Sequence, residues 1–170
     1  FKDEGQLATS VAYYREAIRL APHFADAYSN LGNALKEQAN LEEAISCYKA
    51  AIEIRPDFAI AHANLAACYY DKKLLSEAVS TFKHAIQLEP NFPDAFNNLG
   101  NALRESGQEK LEEAIYCYRT ALRLKPDHPH AYNNLGNAMN KLKKFEQAIQ
   151  FFVKSLEIKP KATDAMINIA

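Results

Sequence analysis

The chain has 170 residues, a formal net charge of −1 and 48% hydrophobic residues, enough to bury a substantial core in one domain. No apolar run approaches the roughly 20 residues of a membrane span, and no secretory signal opens the chain. The near-neutral balance argues against a nucleic-acid surface, which needs clustered Lys and Arg to displace counterions from phosphates. Cys47, Cys68 and Cys117 lie in helical stretches without a close pair. They read as buried thiols rather than as a disulfide framework or a metal site. Their number and placement lead us to expect a reducing, intracellular compartment, cytoplasmic or nuclear. The first residue is Phe1 rather than Met, so we expect a slice of a longer protein.

Helical periodicity and proline punctuation predict the elements in chain order. A first helix over 7–20 stops before Pro22. Helix pairs then follow over 25–38 and 41–54, 59–72 and 75–88, 93–106 and 111–124, and 129–142 and 145–158, with a further stub from 163. Each pair ends at a proline, which lacks the N–H and the space to continue a helix. Pro22, Pro56, Pro90, Pro126 and Pro160 are separated by 34, 34, 36 and 34 residues. The longer interval contains two extra residues within Gly107–Lys110, at a turn where an insertion disturbs packing least. The implied organisation is a single array. A partial repeat (1–24) precedes whole repeats over 25–58, 59–92, 93–128 and 129–162, and a further one begins at 163–170.

Each copy carries the same small and aromatic landmarks. The first helix has Tyr28, His62, Phe96, Tyr132 or Met166 at its fourth position, then Gly32, Ala66, Gly100, Gly136 or Ala170 four residues later. The second helix has Ala44, Ala78, Ala114 or Ala148, then Tyr48, Phe82, Tyr118 or Phe152, then Ala51, Ala85, Ala121 or Ser155. Small residues let helix backbones approach closely, and the aromatics fill the adjoining groove. A helix–turn–helix unit of this period, with these residues, resembles the tetratricopeptide repeat (TPR) over the whole chain. The resemblance implies an all-α fold, a right-handed α-α superhelix in which first helices line the concave face. It also implies binding of other proteins rather than catalysis.

Under that register, the sixth residue of every copy is asparagine: Asn30, Asn64, Asn98, Asn134 and Asn168. Asn is a mediocre helix former, so propensity does not account for five in register. A carboxamide donates and accepts at once, so it can pair with the backbone of an extended peptide whatever its side chains. Asn33, Asn101 and Asn137 at the ninth position, with Ala67 breaking the row, and Asn97 and Asn133 at the fifth extend the candidate surface. The competing reading is that these carboxamides bond neighbouring helices and stabilise the stack. The run Tyr28-Ser29-Asn30-Leu31-Gly32-Asn33-Ala34-Leu35-Lys36-Glu37, with Leu41-Glu42-Glu43-Ala44, further resembles the repeats of O-linked N-acetylglucosamine (O-GlcNAc) transferases. That resemblance implies recruitment of protein substrates ahead of a catalytic region the chain does not contain.

Two alternatives are set beside this one. A stand-alone adaptor would lack the catalytic region, and a co-chaperone would clamp a C-terminal carboxylate with cations. Yet the second, fifth and sixth positions hold Asp26, Ile60, Asp94, His130, Ser29, Ala63, Asn97, Asn133 and the Asn row, without Lys or Arg. A self-associating array would stack end to end through Phe1, Leu7, Val11, Met166 and Ile169. No phosphate loop or nucleophile motif is present. Asp127, His128 and His130 lack a third metal ligand at characteristic spacing and read as a solvated turn. We therefore expect no catalytic residues, no metal and no cofactor. The expected partners are proteins or peptides in extended form, not nucleic acid or membrane.

Overall fold

A computed structural model of the chain describes residues 2–160. Among the described residues all regular structure is helical: α1 (Lys2–Leu20), α2 (Ala25–Glu37), α3 (Leu41–Ile54), α4 (Ala59–Asp71), α5 (Leu75–Leu88), α6 (Pro93–Ser106), α7 (Leu111–Leu124), α8 (Pro129–Lys141) and α9 (Phe145–Ile158), with a 3-10 turn at Gln108–Lys110 before α7. The chain forms two compact units, Phe1–Leu88 and Glu89–Ala170. In the first, α1 to α5 pack each on the next; in the second, α6 to α9 do the same, and α6 also lies beside α8. This is an all-α fold of stacked helix pairs.

The tightest contacts occur within each pair. Gly32 faces Tyr48 so closely that a Cβ would lie 2.6 Å from the Tyr48 ring, and Gly100 and Gly136 meet Tyr118 and Phe152 with a corresponding 2.5 Å. The three rings are almost wholly buried. Removing such a ring from a core costs about 3–5 kcal/mol. Ala66 and Phe82 hold the same positions in α4 and α5 and are equally buried. Around the Gly32–Tyr48 contact, Val11, Leu31, Leu35, Leu65 and Cys68 close the core of the first unit. In the second unit Leu99, Leu103, Leu111, Leu135 and Met139 are the corresponding buried side chains.

The turns explain where the helices stop. α2, α4 and α8 each end one residue short of the sequence-based expectation, because Ala39, Lys73 and Lys143 take left-handed backbone angles (φ 61°, 62° and 59°). The next amide then bonds back to the helix: Asn40 N–H to Leu35 C=O, Leu74 N–H to Tyr69 C=O and Lys144 N–H to Met139 C=O, at 2.9, 2.9 and 3.0 Å. These are Schellman closures, usually built on glycine. The two-residue insertion replaces the closure after α6 with Gly107 at φ 153° and the 3-10 turn. The start of α3 is capped reciprocally: the Asn40 side chain accepts from the Glu43 amide and donates to the Glu43 carboxylate at 2.9 Å, a close variant of the capping box.

Three sequence expectations are corrected. α1 starts at Lys2 rather than near residue 7, since no proline interrupts the stretch. Val11, expected to contribute to end-to-end stacking in the self-associating alternative, is buried in the first unit's core, so it is not available for stacking. Leu7 is half-buried, and Phe1, Met166 and Ile169 lie outside the described residues. His128, expected in a solvated turn, is only 4% exposed. Its Nδ1 accepts the Ala131 N–H at 3.3 Å and so caps α8, while its Nε2–H donates to Asp94 at 3.0 Å.

Two predictions follow from these contacts. Gly100→Ala adds a methyl where the Tyr118 ring already sits. The overpacking should outweigh the gain of about 1 kcal/mol in helix propensity, leaving a net destabilisation of about 1–2 kcal/mol in urea unfolding. The second concerns pH. Burial holds the His128 pKa below its ordinary value, against the raising effect of Asp94, with Lys125 and His130 adding to the depression. The unfolded chain therefore takes up this proton more readily than the folded one. The contribution of His128 is complete above the unfolded imidazole pKa of about 6.5 and is lost as pH falls below it toward the lower folded value. Protonation removes the Nδ1 lone pair that caps α8. The wild type should lose up to about 1 kcal/mol more stability than His128→Asn between about pH 7.5 and pH 5, the size of one cap, read from urea unfolding at both values.

Candidate functional site

The candidate surface is built on the first helix of each pair. In the first unit α2 and α4 carry it; in the second, α6 and α8. The second helices carry the buried rings that hold these helices close.

In the first unit Asn33 is the hub. Its Oδ1 accepts the Tyr48 hydroxyl at 2.8 Å and the Asn64 Nδ2–H at 2.9 Å. Burial raises the Tyr48 pKa further above its ordinary value, with Cys68, Cys47 and Glu37 adding to it, so the hydroxyl stays a donor. The bond from Asn64 ties α4 to α2. Asn30 is exposed and has no hydrogen-bond partner among the described residues. Beside the row, Lys36 of α2 pairs with Asp71 of α4 at 3.3 Å, and Asp26 pairs with Arg55 at 2.8 Å. The Arg55 guanidinium also lies 3.5 Å over the Phe58 ring. Exposed pairs of this kind contribute about 0–1 kcal/mol each, so they orient helix ends more than they hold the unit together.

In the second unit Asn97 is buried, at 5% exposure. It donates to Asn98 Oδ1 at 3.2 Å and accepts from Asn134 Nδ2–H at 2.9 Å, tying α8 to α6. Asn101 accepts the Tyr118 hydroxyl at 2.9 Å. Asn98, Asn101, Asn133, Asn134 and Asn137 are half-buried. Asn168, the fifth member of the expected row, lies outside the described residues.

The carboxamides thus serve both readings drawn from the sequence. Asn33, Asn97 and Asn101 are engaged inside their units. Asn64 and Asn134 each donate one N–H to a neighbouring helix and keep an N–H and both carbonyl lone pairs. Asn98 spends one lone pair and keeps its NH2, and Asn30 keeps everything. Sequence reasoning had overlooked the hydroxyls of Tyr48 and Tyr118. A signal for them was present: Tyr in the second helix accompanies Asn33 and Asn101 at the ninth position, whereas Phe82 accompanies Ala67.

The cysteines and His62 are packed inside the fold. Cys47, Cys68 and Cys117 are buried free thiols. Burial, with a smaller push from Glu43, raises the Cys47 thiol to about 11, and burial raises Cys68; neither is a thiolate at neutral pH. His62 is buried, donates from Nε2 to the Pro56 carbonyl at 2.9 Å, and meets the His84 ring edge-on at 4.6 Å. These two histidines border a cleft of about 450 Å³ floored by Ile52, Leu65 and Tyr69, and no carboxamide lines it. Among the described residues no cluster of three or more His, Cys, Asp or Glu side chains is arranged to hold a metal ion. No helix among them is long and apolar enough to cross a membrane.

The comparisons with known proteins agree with this architecture. A family model described as TPR repeat matches residues 1–39, 32–73, 68–107 and 108–143, and one described as tetratricopeptide repeat matches 129–162. No curated protein sequence matches the chain. Among solved structures, a crystal structure of MamA has a TM-score of 0.78 at 22% identity, covering 95% of this chain and 94% of that one. MamA from Desulfovibrio magneticus RS-1, residues 41 to the end, gives 0.77 at 21%, covering 94% and 89%. The APC/C hetero-tetramer Cut9–Hcn1 gives 0.87 at 20%, covering 97% of this chain but 33% of that one. At these identities the likeness is one of fold, and none of these structures bears on the O-GlcNAc transferases. The chain belongs to the tetratricopeptide repeat family, whose arrays serve as scaffolds for protein–protein interaction.

Proposed function

We propose that the carboxamide-bearing faces of α2 and α4, and of α6 and α8, bind an extended segment of a client protein through its backbone. The observation that carries this reading is the asparagine at the sixth position of every copy. Asn30, Asn64, Asn98 and Asn134 are each exposed or half-buried, and each keeps hydrogen-bonding capacity after its bonds within the fold are counted. Packed helices lie about 8–10 Å apart and an extended chain advances about 3.3 Å per residue. Within one unit, consecutive first helices would thus meet the client several residues apart, pairing with its amides and carbonyls and leaving its side chains free. Affinity would then be broad in sequence and rest on neutral hydrogen bonds.

The sequence resemblance carries the proposal one step further. The motif around Asn30-Leu31-Gly32-Asn33 resembles the substrate-recruiting repeats of O-GlcNAc transferases. In that role the clients would be proteins presenting Ser and Thr in extended segments, delivered to a glycosyltransferase region. A stand-alone adaptor with the same face is the alternative. It would bind the same segments without sugar transfer, and assaying the parent protein for transfer to a Ser/Thr peptide separates the two.

The binding surface is tested with a fluorescein-labelled peptide, acetyl-(Pro-Ser-Thr-Ala)4-amide, followed by fluorescence anisotropy. Asn30→Ala with Asn64→Ala, and Asn98→Ala with Asn134→Ala, should each weaken binding by about tenfold or more, at net hydrogen-bond contributions of about 0.5–1.5 kcal/mol apiece. Helicity should be unchanged by circular dichroism. Binding should vary little with salt, because few charges are involved. Full affinity in both double variants would reject the proposal.

A further inference from the structure

The ninth-position asparagines differ in a way set by the ring behind them. Asn33 and Asn101 have their carbonyl oxygens held by the Tyr48 and Tyr118 hydroxyls at 2.8 and 2.9 Å. The buried rings fix those hydroxyls, so each amide has its oxygen engaged by the ring behind it, and its NH2 group is the end left over. Asn33 accepts from Asn64 as well, which uses both of its carbonyl lone pairs. Asn137 stands at the same position in α8, but the residue behind it is Phe152. Asn137 is half-buried and has no hydrogen-bond partner among the described residues.

Phe152 is otherwise placed as Tyr118 is. A Cβ on Gly136 would lie 2.5 Å from Phe152 Cε1 and 3.0 Å from Cζ, and one on Gly100 would meet Tyr118 Cε1 and Cζ at the same 2.5 and 3.0 Å. The missing hydroxyl is therefore the relevant difference between the two pairs, not a displaced ring. We infer that Asn137 is a specificity-determining residue of the second unit's carboxamide face: its carbonyl, unengaged among the described residues, accepts a backbone N–H of the client, whereas Asn101 in the same unit offers its NH2 group and faces client carbonyls. This rests on the backbone-binding reading above. It adds a selection rule, since a client residue without an N–H, such as proline, is disfavoured opposite Asn137 and tolerated opposite Asn101.

The test uses the same labelled peptide and the full chain. Phe152→Tyr restores a hydroxyl that should bond Asn137 Oδ1, visible as a shift of the Asn137 side-chain amide in 15N NMR spectra. It should weaken peptide binding by about threefold to tenfold, the loss of one hydrogen bond, and Asn137→Ala should lose a similar factor. Asn137→Asp keeps the acceptor and should hold affinity within about twofold, while Asn101→Asp removes the donor and should weaken it by about threefold or more, on the same hydrogen-bond scale. An amide shift with unchanged affinity in Phe152→Tyr overturns the inference, as does the absence of any shift. If Asn98→Ala with Asn134→Ala weakens binding while Phe152→Tyr does not, the backbone-binding reading stands and the role of Asn137 falls. A wild-type chain that leaves the peptide unbound rejects both.

Discussion

The contact between a residue with no side chain and the face of an aromatic ring governs this molecule. At Gly32, Gly100 and Gly136 the ring of Tyr48, Tyr118 or Phe152 occupies the space that a Cβ would need. That contact brings the two helices of a pair close enough to exclude water between them. Core packing at this density has little tolerance for added volume. Ala66 with Phe82 shows that the position accepts a methyl where the pair carries it natively. The polar residues of α2, α6 and α8 are carried on helices held by this apolar contact.

The same rings reach through the core to the candidate surface. A tyrosine hydroxyl at the far end of the ring emerges beside the ninth residue of the first helix and holds Asn33 or Asn101 by its oxygen. Packing and recognition chemistry are therefore coupled through a single atom. Where the ring is Phe82, the ninth residue is Ala67 and neither group is present. The carboxamides are not simply groove or scaffold. Asn64 and Asn134 bond the preceding first helix with one N–H and keep their carbonyls for a partner, which a group with separate donor and acceptor ends can do.

Much of the helical framework was legible in the sequence because its signals are local. The prolines at the ends of the pairs, the small residues and the aromatics recur at a fixed period and have few structural interpretations. Helix ends were less legible. Ala39, Lys73 and Lys143 adopt left-handed angles that their residue types disfavour, so the early stops of α2, α4 and α8 could not be read from glycine. His128 was misjudged for a similar reason. A turn histidine beside two prolines looks solvated, but Asp94, 34 residues earlier, comes within 3.0 Å and draws it into the packed end of α8.

By itself the sequence determined the repeat, the all-α architecture, the family and the row of asparagines, because periodicity and steric pattern are properties of neighbours along the chain. Only the tertiary structure decided what each asparagine is free to do. A carboxamide has two ends, and which end faces outward depends on groups 15 to 37 residues away. Tyr48 and Tyr118 hold their asparagines by the oxygen, Asn97 is buried between its neighbours, and Asn137, with a phenylalanine behind it, has no hydrogen-bond partner among the described residues. Hydrogen bonding is directional and short in range, so it is settled only when the helices have packed.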